Sequence, residues 1–436
     1  MLFIVYRYTF LIVLVSFLLF GFVGAGLLLL PGVCQFHVLS FIDALFLSFS
    51  AICGVGVSFF PLNTFSLFGK IILMLIMYIG SIGVLTVILG IIYYFSFYNA
   101  ESYGLAREIL NIIQIKKIGS FLKIIFLGSS AALIAGTLCY LSLAFFLDTP
   151  LSFINACFVS LNFFTNIGFS VSEIISENLS THPLWYTISS ALMLLGGAGF
   201  LFVFEIKEYI KKKWEEKPYT FSLTTKVLSA GFFGTLIFMW CFYFFICEKD
   251  FSSFSLIRSL FAAISFRGCG ISPYKNLPTA IIFTSSLYGI LGTTPFGTGG
   301  GIKTSLLAVI LKTPFAIFRR NDYLTLFYKK ISWRIVAISH IFLLYLVGIT
   351  AFLTVIIEFY TQNNIDFMLA YSDILGFITS SGTLWTPLII MLGNFEKIFC
   401  ILLMALGKIS GIILTLYVTK ITTNGKQYPE GNLILL

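Results

Sequence analysis

A unit of two long apolar stretches, joined by a short segment that reaches a glycine, recurs four times along the chain. A polar residue opens each short segment: Asp43, Asn155, Arg258 or Asp373. Twelve or thirteen residues later a glycine follows in three segments, whereas the same spacing from Asp373 leads to Trp385. The aligned segments are Phe41–Ser58, Phe153–Ser170, Leu256–Ser272 and Tyr371–Pro387. This repetition predicts four equivalent structural units.

The apolar stretches predict a polytopic membrane protein. Of the 436 residues, 58% are hydrophobic and only 10% are charged, far below the roughly 25% of a soluble domain. A helix of about 20 apolar residues crosses the hydrocarbon core, and a soluble protein would need polar faces that these stretches lack. The first stretch follows Arg7 as in a signal peptide but is too long for one. We therefore predict eight spans, near 4–30, 64–97, 121–147, 183–210, 224–247, 279–312, 335–360 and 390–420.

The basic charge of the chain predicts its orientation rather than a nucleic-acid partner. The net charge is +9, and lysines and arginines cluster in alternate connections between spans. By the positive-inside rule these connections and both termini are cytoplasmic. A contact with anionic lipid or a cytosolic partner is a secondary interpretation. The clusters are Arg107, Lys116, Lys117 and Lys123; Lys207, Lys211, Lys212, Lys213 and Lys217; and Lys312, Arg319, Arg320, Lys329, Lys330 and Arg334.

The sequence offers little for cofactor or enzyme chemistry. It contains eight cysteines without a C-x-x-C pair and three scattered histidines without metal-ligand spacing. Buried, unreactive thiols are therefore the expected state of the cysteines. No paired carboxylates and no nucleophile with its base stand out. We predict no covalent cofactor and no enzymatic activity.

The short segments predict re-entrant pore loops. They are too short to cross a bilayer, and irregular backbone at membrane depth is tolerated only where it is buried or lines a watery cavity. Carbonyl oxygens of such a loop can replace the water shell of a cation, and the helix C-terminus adds negative potential. Ordinary extracellular loops are the bland alternative. The predicted filter residues are Val55, Gly56, Ile167, Gly168, Cys269, Gly270, Leu384 and Trp385.

Three of the opening residues suit the start of a pore helix. Asp43, Asn155 and Asp373 can accept hydrogen bonds from the free N–H groups there, whereas Arg258 cannot. A unit with two spans returns the chain to its starting side, so the units are related by an axis along the membrane normal. The predicted fold is therefore all-α, with four pseudo-symmetric span–pore-helix–span repeats around a central pore. Their boundaries are 1–97, 98–213, 214–315 and 316–436.

The sixth span is interrupted between Gly292 and Ser305 by a stretch rich in glycine, threonine and proline, which cannot remain helical. It superficially resembles a phosphate-binding P-loop, but Ile302 separates the glycines from the lysine and no strand precedes it. We predict an intramembrane gating loop beneath the filter and Lys408, in the eighth span, as a contact of this gate. Snorkelling to the cytoplasmic surface is an equal interpretation of Lys303. The loop residues are Gly292, Thr298, Gly299, Gly300, Gly301 and Lys303.

Several motifs resemble the Trk/Ktr/HKT superfamily of potassium and sodium transporters, specifically the bacterial TrkH/KtrB type. The likeness covers nearly the whole chain, and the glycine-rich stretch before Lys303 is its most specific part. It implies a cation uptake pathway with backbone carbonyls at four filter positions. It also implies a homodimer and a cytosolic nucleotide-binding regulatory subunit. The motifs are Gly24–Pro31, Ser50–Ser58, Asn166–Phe169, Arg267–Ile271 and Gly299–Thr304.

Three departures from the family pattern concern the ion. Trp385 stands where the fourth filter has glycine, Lys408 where the family usually has arginine, and Gly268 where threonine is frequent. An indole does not readily adopt positive φ, so the fourth wall should differ in course and width. Our leading hypothesis is transport of a monovalent cation, K⁺ before Na⁺. The alternative is a poorly conducting relative that serves as a membrane scaffold or docking subunit, and a membrane enzyme ranks third.

Overall fold

The computed structural model describes residues 2–35, 39–82, 118–248, 250–294, 297–301, 304–319, 323–327, 329–360, 366–383, 385 and 393–422. The predicted site residues Lys303 and Leu384 lie outside these residues, as do positions 83–117 and 423–436. Within the described residues the protein is mostly helical, as predicted. The departures from an all-α structure there are a small antiparallel hairpin of strands β1 (Leu324–Leu326) and β2 (Lys329–Ile331) and an isolated antiparallel bridge between Cys34 and Phe65.

Long apolar sequences form the long helices. Helices of 25 to 29 residues extend about 37–43 Å, more than the hydrocarbon thickness of a bilayer. Among the described residues, three helical stretches are long and apolar enough to cross a membrane, namely Gly119–Phe146, Thr225–Cys247 and Trp333–Phe359. The long helices are α1 (Leu2–Leu28), α4 (Ile118–Phe146), α8 (Leu223–Cys247), α12 (Trp333–Tyr360) and α14 (Asn394–Thr422), and the shorter α3 is Leu67–Ile82.

Four shorter helices occupy the places predicted for pore helices: α2 (Phe41–Cys53), α5 (Phe153–Phe164), α9 (Ser253–Gly268) and α13 (Phe367–Thr379). Their N-caps differ from the prediction. Ser40 and Ser152 accept hydrogen bonds from the backbone N–H groups of Asp43 and Asn155, which therefore lie one turn inside their helices. Ser252 caps α9 and Asp366 caps α13. Asp373 is not a cap but a buried residue in the middle of α13.

The pore helices link the four units into a closed ring. Each one packs against helices of its own unit and against the second apolar helix of the unit before it in the sequence. With α6 (Pro183–Gly197) and α10 (Thr279–Ile290), the contacts between units are α5 with α3, α9 with α6, α13 with α10, and α2 with α14. The last contact joins the fourth unit to the first. Four units of one chain therefore surround a common axis.

The predicted fourth span, near 183–210, is not one continuous helix. Helix α6 ends at Gly197, and helix α7 (Phe200–Trp214) leaves it at an angle of 83°. The bend has a steric cause. Gly199 has φ of +83°, and a side chain on Gly196 would overlap the carbonyl oxygen of Phe164 at the end of α5. Glycines make both the sharp turn and the close approach feasible.

The third unit contains the other interruption. Helix α10 ends at Ile290 and helix α11 begins at Thr304, extending to Phe318. The described residues between them, which we call the intramembrane segment, are 291–294 and 297–301. Thr293, Thr294 and Thr298 of this segment are buried. A buried segment without helical hydrogen bonds needs other partners for its polar groups, and these partners define the candidate site.

Candidate functional site

The irregular segments after the four pore helices meet in one buried ring. Each contributes a glycine with φ between +65° and +88°, and the next segment lies so close that a Cβ there would overlap its backbone. The contacts run around the ring in sequence order and close on the first segment. The pairs of glycine and facing carbonyl are Gly56 with Ile167, Gly168 with Cys269, Gly270 with both Gly382 and Ser381, and Gly382 with Val55.

Each pair includes the carbonyl of the residue that directly precedes one of the four glycines, and Gly270 also faces the carbonyl of Gly382 itself. Three of the oxygens surround one point in the ring: a Cβ on Gly382 would lie 2.4 Å from the oxygen of Val55, 3.2 Å from that of Cys269 and 3.4 Å from that of Ile167. Four backbone carbonyls from four different segments thus converge on a small volume. This is the donor set that suits a dehydrated monovalent cation.

The sequence prediction placed the fourth corner of the ring three residues too far along the chain. Gly382, with Ser381 before it, occupies the place assigned to Trp385, with Leu384 before it. The fourth segment therefore has a glycine at the same position as the other three. The expected difference in backbone course, which depended on an indole at this position, does not occur there.

The error came from the choice of the residue used for alignment. Gly56, Gly168 and Gly382 each follow the N-cap of their pore helix by sixteen residues, and Gly270 follows its cap by eighteen. Alignment on Asp373 started seven residues inside α13 instead of at the cap Asp366. Cap spacing is the sequence signal that identifies Gly382.

Trp385 lies outside the ring and anchors the fourth segment to the surrounding helices. Its backbone N–H donates to Oδ1 of the buried Asp373 (2.7 Å), and its indole packs against Phe266 of α9 with ring centroids 5.6 Å apart. Gly376, on the next turn of α13, lies so close to the ring segment that a Cβ would be 2.5 Å from the carbonyl oxygen of Thr383. Asp373 and Trp385 therefore hold the fourth segment against its own pore helix.

Polar side chains of the other pore helices hold their segments in the same way. Ser50 accepts the N–H of Val57 (2.7 Å), and Ser265 donates to the carbonyl of Ile271 (2.6 Å). Asn162 accepts from the N–H of Phe169 (2.9 Å) and donates to its carbonyl (2.8 Å). These bonds satisfy backbone groups beside the ring residues and thereby help to fix the backbone that carries the ring carbonyls.

The intramembrane segment lies against the fourth pore helix and folds back on itself. Thr293 donates from its N–H to the Gly300 carbonyl (3.1 Å) and from its hydroxyl to the Gly299 carbonyl (2.7 Å). A Cβ on Gly300 would overlap the carbonyl oxygen of Thr379, in the last turn of α13. The predicted loop residues Gly292, Thr298, Gly299, Gly300 and Gly301 are thus brought together next to the ring.

The same segment is bound to the second unit. Thr298 donates from its N–H to the Gly196 carbonyl (3.1 Å) and from its hydroxyl to the Phe164 carbonyl (3.0 Å). Its hydroxyl also accepts from the side-chain amide of Asn166 (2.9 Å). Thr294 donates from its hydroxyl to the Gly197 carbonyl (2.9 Å). These bonds tie the intramembrane segment to the glycine bend between α6 and α7.

Arg267, which entered the sequence analysis only as part of a motif, holds the start of the segment. Its side chain is almost completely buried in the last turn of α9. The guanidinium donates to the carbonyls of Gly292 (2.8 and 3.0 Å), Leu291 (3.1 Å) and Phe232 (3.1 Å), and it lies 4.2 Å from the Phe232 ring centroid. A charged residue inside an apolar span-like sequence was the signal for this role.

Lys408 places a second cation near the ring. Its ammonium group donates to the carbonyl of Cys53 at the end of α2 (3.3 Å) and lies 3.9 Å from the position of a Cβ on Gly54. The C-terminal ends of the first and third pore helices, which carry negative partial charge, therefore each have a cation from the protein nearby. The contact of Lys408 with a gate remains a prediction, since Lys303 lies outside the described residues.

Ion pairs and hydrogen bonds hold the other ends of the pore helices. Lys397 binds Asp43 (2.7 Å), and Lys70 donates to the Asn155 side chain (2.9 Å), so each bond joins two units. Arg258, which does not fit a capping role, donates from Nε to Glu248 (2.9 Å). Burial would raise the pKa of Glu248, but hydrogen bonds from Arg258 and Tyr274 outweigh it, and the pKa lies below its usual value.

Within the described residues, no group of three or more His, Cys, Asp or Glu side chains could hold a metal ion. The carbonyl ring is the one arrangement of donors that we find there with a geometry suited to a cation. Side chains contribute to it indirectly, through the hydrogen bonds that fix its backbone.

Comparison with known proteins gives relatives over nearly the whole chain. No protein-family model matches the chain. The Ktr system potassium uptake protein B of Bacillus subtilis (strain 168) is 26% identical over 442 residues, covering 96% of this chain and 94% of the relative. The potassium/sodium uptake protein NtpJ of Enterococcus hirae is 22% identical, covering 64% of this chain and 63% of the relative.

A solved structure shares the fold. The crystal structure of the potassium transporter TrkH from Vibrio parahaemolyticus aligns with a TM-score of 0.70 and 16% sequence identity, covering 96% of this chain and 85% of that chain. The resemblance found in the sequence motifs is thus confirmed by whole-chain similarity and by fold. Together they support the resemblance of the chain to the integral membrane subunits of the Trk/Ktr superfamily.

Proposed function

We propose that the protein transports a monovalent cation, K⁺ in preference to Na⁺, through the centre of the carbonyl ring. The observation that carries this proposal is the closed set of contacts in which each of four glycines meets the carbonyl of the next segment. Four backbone carbonyls can replace the water shell of a cation without a charged side chain at the ring. The names of the relatives, potassium and potassium/sodium uptake proteins, point to the same ions.

The presence of Gly382 at the fourth corner of the ring favours transport over the scaffold alternative. The alternative of a poorly conducting relative was linked to three departures from the family pattern, one of them the indole of Trp385. The positive φ of Gly382 and its close contact with Val55 support a glycine at that corner. Lys408 in place of an arginine and Gly268 in place of a threonine remain as departures. Neither residue contributes one of the four carbonyls that face the glycines.

The intramembrane segment acts as the gate in this proposal. It is next to the C-terminal end of the fourth pore helix and is held by Arg267 on one side and by Thr294 and Thr298 on the other. Release of these bonds would move the segment away from the path of the ion. Lys408, whose ammonium lies at the end of the first pore helix, would repel an ion that lingers there.

The assembly and its location are also part of the proposal. We infer a homodimer in the bacterial plasma membrane, with both termini cytoplasmic and with a cytosolic nucleotide-binding regulatory subunit. The family resemblance and the distribution of basic residues support this arrangement. Light scattering with refractive-index detection of the purified protein in detergent tests the dimer, since a single copy has a mass of 48.7 kDa.

Flux measurements test the transport proposal. Purified protein in proteoliposomes should take up radiolabelled Rb⁺ faster than Na⁺, and excess K⁺ should compete with Rb⁺. Gly168→Ala should abolish uptake without loss of folded protein, because its Cβ would overlap the carbonyl of Cys269. Folded wild-type protein with no flux above that of empty vesicles would contradict transport and favour the scaffold alternative.

A further inference from the structure

Helix α7 carries an apolar surface that the helix bundle does not use. Leu201 and Phe204 are buried on one side of α7. On the other side Val203, Ile210 and Trp214 have 38%, 49% and 87% of their surface exposed. The spacings of seven and four residues place these three side chains in one stripe along the helix. An exposed stripe that ends in a tryptophan needs an apolar or interfacial environment.

Two contacts fix the depth of α7 relative to the spanning helices. The Phe204 ring packs edge-on against Phe121, three residues from the start of α4, with centroids 5.7 Å apart. The Glu205 carboxylate accepts the backbone N–H of Ser222 (3.0 Å), the N-cap of α8. Both α4 and α8 therefore begin level with the N-terminal half of α7. With α4 and α8 as spanning helices, α7 lies at the level where they leave the hydrocarbon.

The bend determines the direction of this half. Helix α6 belongs to the bundle, where it packs against α4, α5 and α9. With α6 along the membrane normal, a helix that leaves it at 83° runs along the membrane surface rather than away from it. Its apolar stripe can then enter the boundary between headgroups and acyl chains, as in amphipathic helices that lie in the interface.

The charge of α7 suits an anionic surface. By helical periodicity Lys207, Lys211 and Lys213 lie on the two flanks of the stripe, and all three are exposed. Five lysines and three glutamates lie between positions 207 and 217. One of these glutamates, Glu215, is paired with Lys217 (2.9 Å) and only loosely with Lys211 (3.9 Å). Lysines beside an apolar stripe can extend their ammonium groups to lipid phosphates.

We propose that α7 is an interfacial helix that binds anionic phospholipid headgroups and thereby holds the glycine bend to which the intramembrane segment is tied. Only two residues separate Gly197 from the first residue of α7. The Gly197 carbonyl accepts a hydrogen bond from the Thr294 hydroxyl (2.9 Å). Movement of α7 therefore displaces the acceptor groups of the segment. The lipid contact is independent of the proposed function, whereas its effect on ion flux depends on it.

Tryptophan quenching by brominated lipid measures the contact without any transport assay. The full chain is reconstituted in phosphatidylcholine vesicles that contain brominated phosphatidylglycerol or, for comparison, brominated phosphatidylcholine. Trp214→Phe supplies the background of the other four tryptophans. We expect the Trp214 fraction to be quenched more strongly by the anionic lipid. The variant Lys207→Gln, Lys211→Gln, Lys213→Gln should lower this preference by about fivefold or more.

A matched variant controls for the loss of positive charge. Lys312→Gln, Arg319→Gln, Lys329→Gln removes three exposed basic residues elsewhere in the chain and should leave the quenching unchanged. Equal quenching by both lipids, or an unchanged preference in the α7 variant, would overturn the proposal. An unquenched Trp214 would overturn it too and would make a cytosolic protein the better occupant of the stripe.

Flux in the same vesicles tests the coupling. Rb⁺ uptake should change with the phosphatidylglycerol content for the wild type and the control variant but not for the α7 variant. Identical dependence in all three would refute the coupling while leaving the lipid site intact. If no protein shows uptake in any lipid, the transport proposal fails, and the quenching result still decides whether α7 binds lipid.

Discussion

Gly382 is the residue at which the ring can be tested most directly. A side chain there would have to adopt left-handed φ, at a cost of about 1–2 kcal/mol, and would also overlap the carbonyl of Val55. We expect Gly382→Ala to lower Rb⁺ uptake by about tenfold or more. Trp385→Phe should retain uptake close to that of the wild type, because its bond to Asp373 comes from the backbone. If Trp385→Phe lowered Rb⁺ uptake more than Gly382→Ala did, Trp385 and not Gly382 would be the ring residue.

Arg267 gives a second prediction at the residue scale. Arg267→Gln would leave carbonyls of Gly292, Leu291 and Phe232 without their donors, and each buried unsatisfied group costs about 1–3 kcal/mol. We expect the free energy of unfolding in detergent to fall by about 3 kcal/mol or more and Rb⁺ uptake to be altered. Arg267→Lys should retain more of the wild-type stability and Rb⁺ uptake than Arg267→Gln, but not all of either, since an ammonium group lacks the planar, forked donors of a guanidinium. The exposed Arg334, changed to Gln, is the control.

Single residues were predicted well where a local pattern identifies them. Gly56, Gly168 and Gly270 follow short apolar helices at similar spacing, and the structure brings all three into one ring. Gly382 was missed because the alignment began at Asp373, a polar residue that in the structure supports the ring from inside α13. Polarity alone does not distinguish a cap from a buried carboxylate, whereas the distance from Asp366 to the glycine does.

Thr298 connects the two interrupted helices. It lies between α10 and α11, and it bonds to Gly196 at the bend between α6 and α7 and to Phe164 at the end of α5. Thr298→Val preserves the shape of the side chain but removes the bonds to Phe164 and Asn166. If these bonds keep the intramembrane segment in the ion path, loss of them should increase Rb⁺ uptake. Thr284→Val is the matched control, because the Thr284 hydroxyl only bonds the carbonyl four residues earlier in its own helix. If Thr298→Val reduced Rb⁺ uptake at an unchanged melting temperature, these bonds would not be what keeps the intramembrane segment in the ion path.

The break between α10 and α11 was predictable because glycine and proline are dense between Gly292 and Ser305. The bend between α6 and α7 was not predicted, although Gly196, Gly197 and Gly199 mark it. Glycines occur in spanning helices without breaking them. The bend lies where α6 closely approaches the Phe164 carbonyl at the end of α5 in the same unit, and such a contact between two helices is invisible in a local sequence pattern.

Closure of the ring of four units can be tested on the molecule as a whole. The pair Lys397–Asp43 joins the last unit to the first, with 16% and 13% of the two side chains exposed. A double-mutant cycle with Lys397→Gln and Asp43→Asn should give a coupling energy of about 1–2 kcal/mol in unfolding. The exposed pair Lys211–Glu215, whose closest atoms are 3.9 Å apart, is the control and should show no measurable coupling. Equal coupling in both pairs would mean that the first pair does not hold the units together.

The four corners of the carbonyl ring are contributed by one polypeptide, and the residues there differ: Val55, Ile167, Cys269 and Ser381. In a channel built from four identical subunits, one codon change alters all four corners together. Here it alters a single corner and leaves three unchanged. A mutation can therefore change the coordination of an ion at one corner of the ring while the other three corners stay the same. Ion preference can then change in small steps, none of which disrupts every contact.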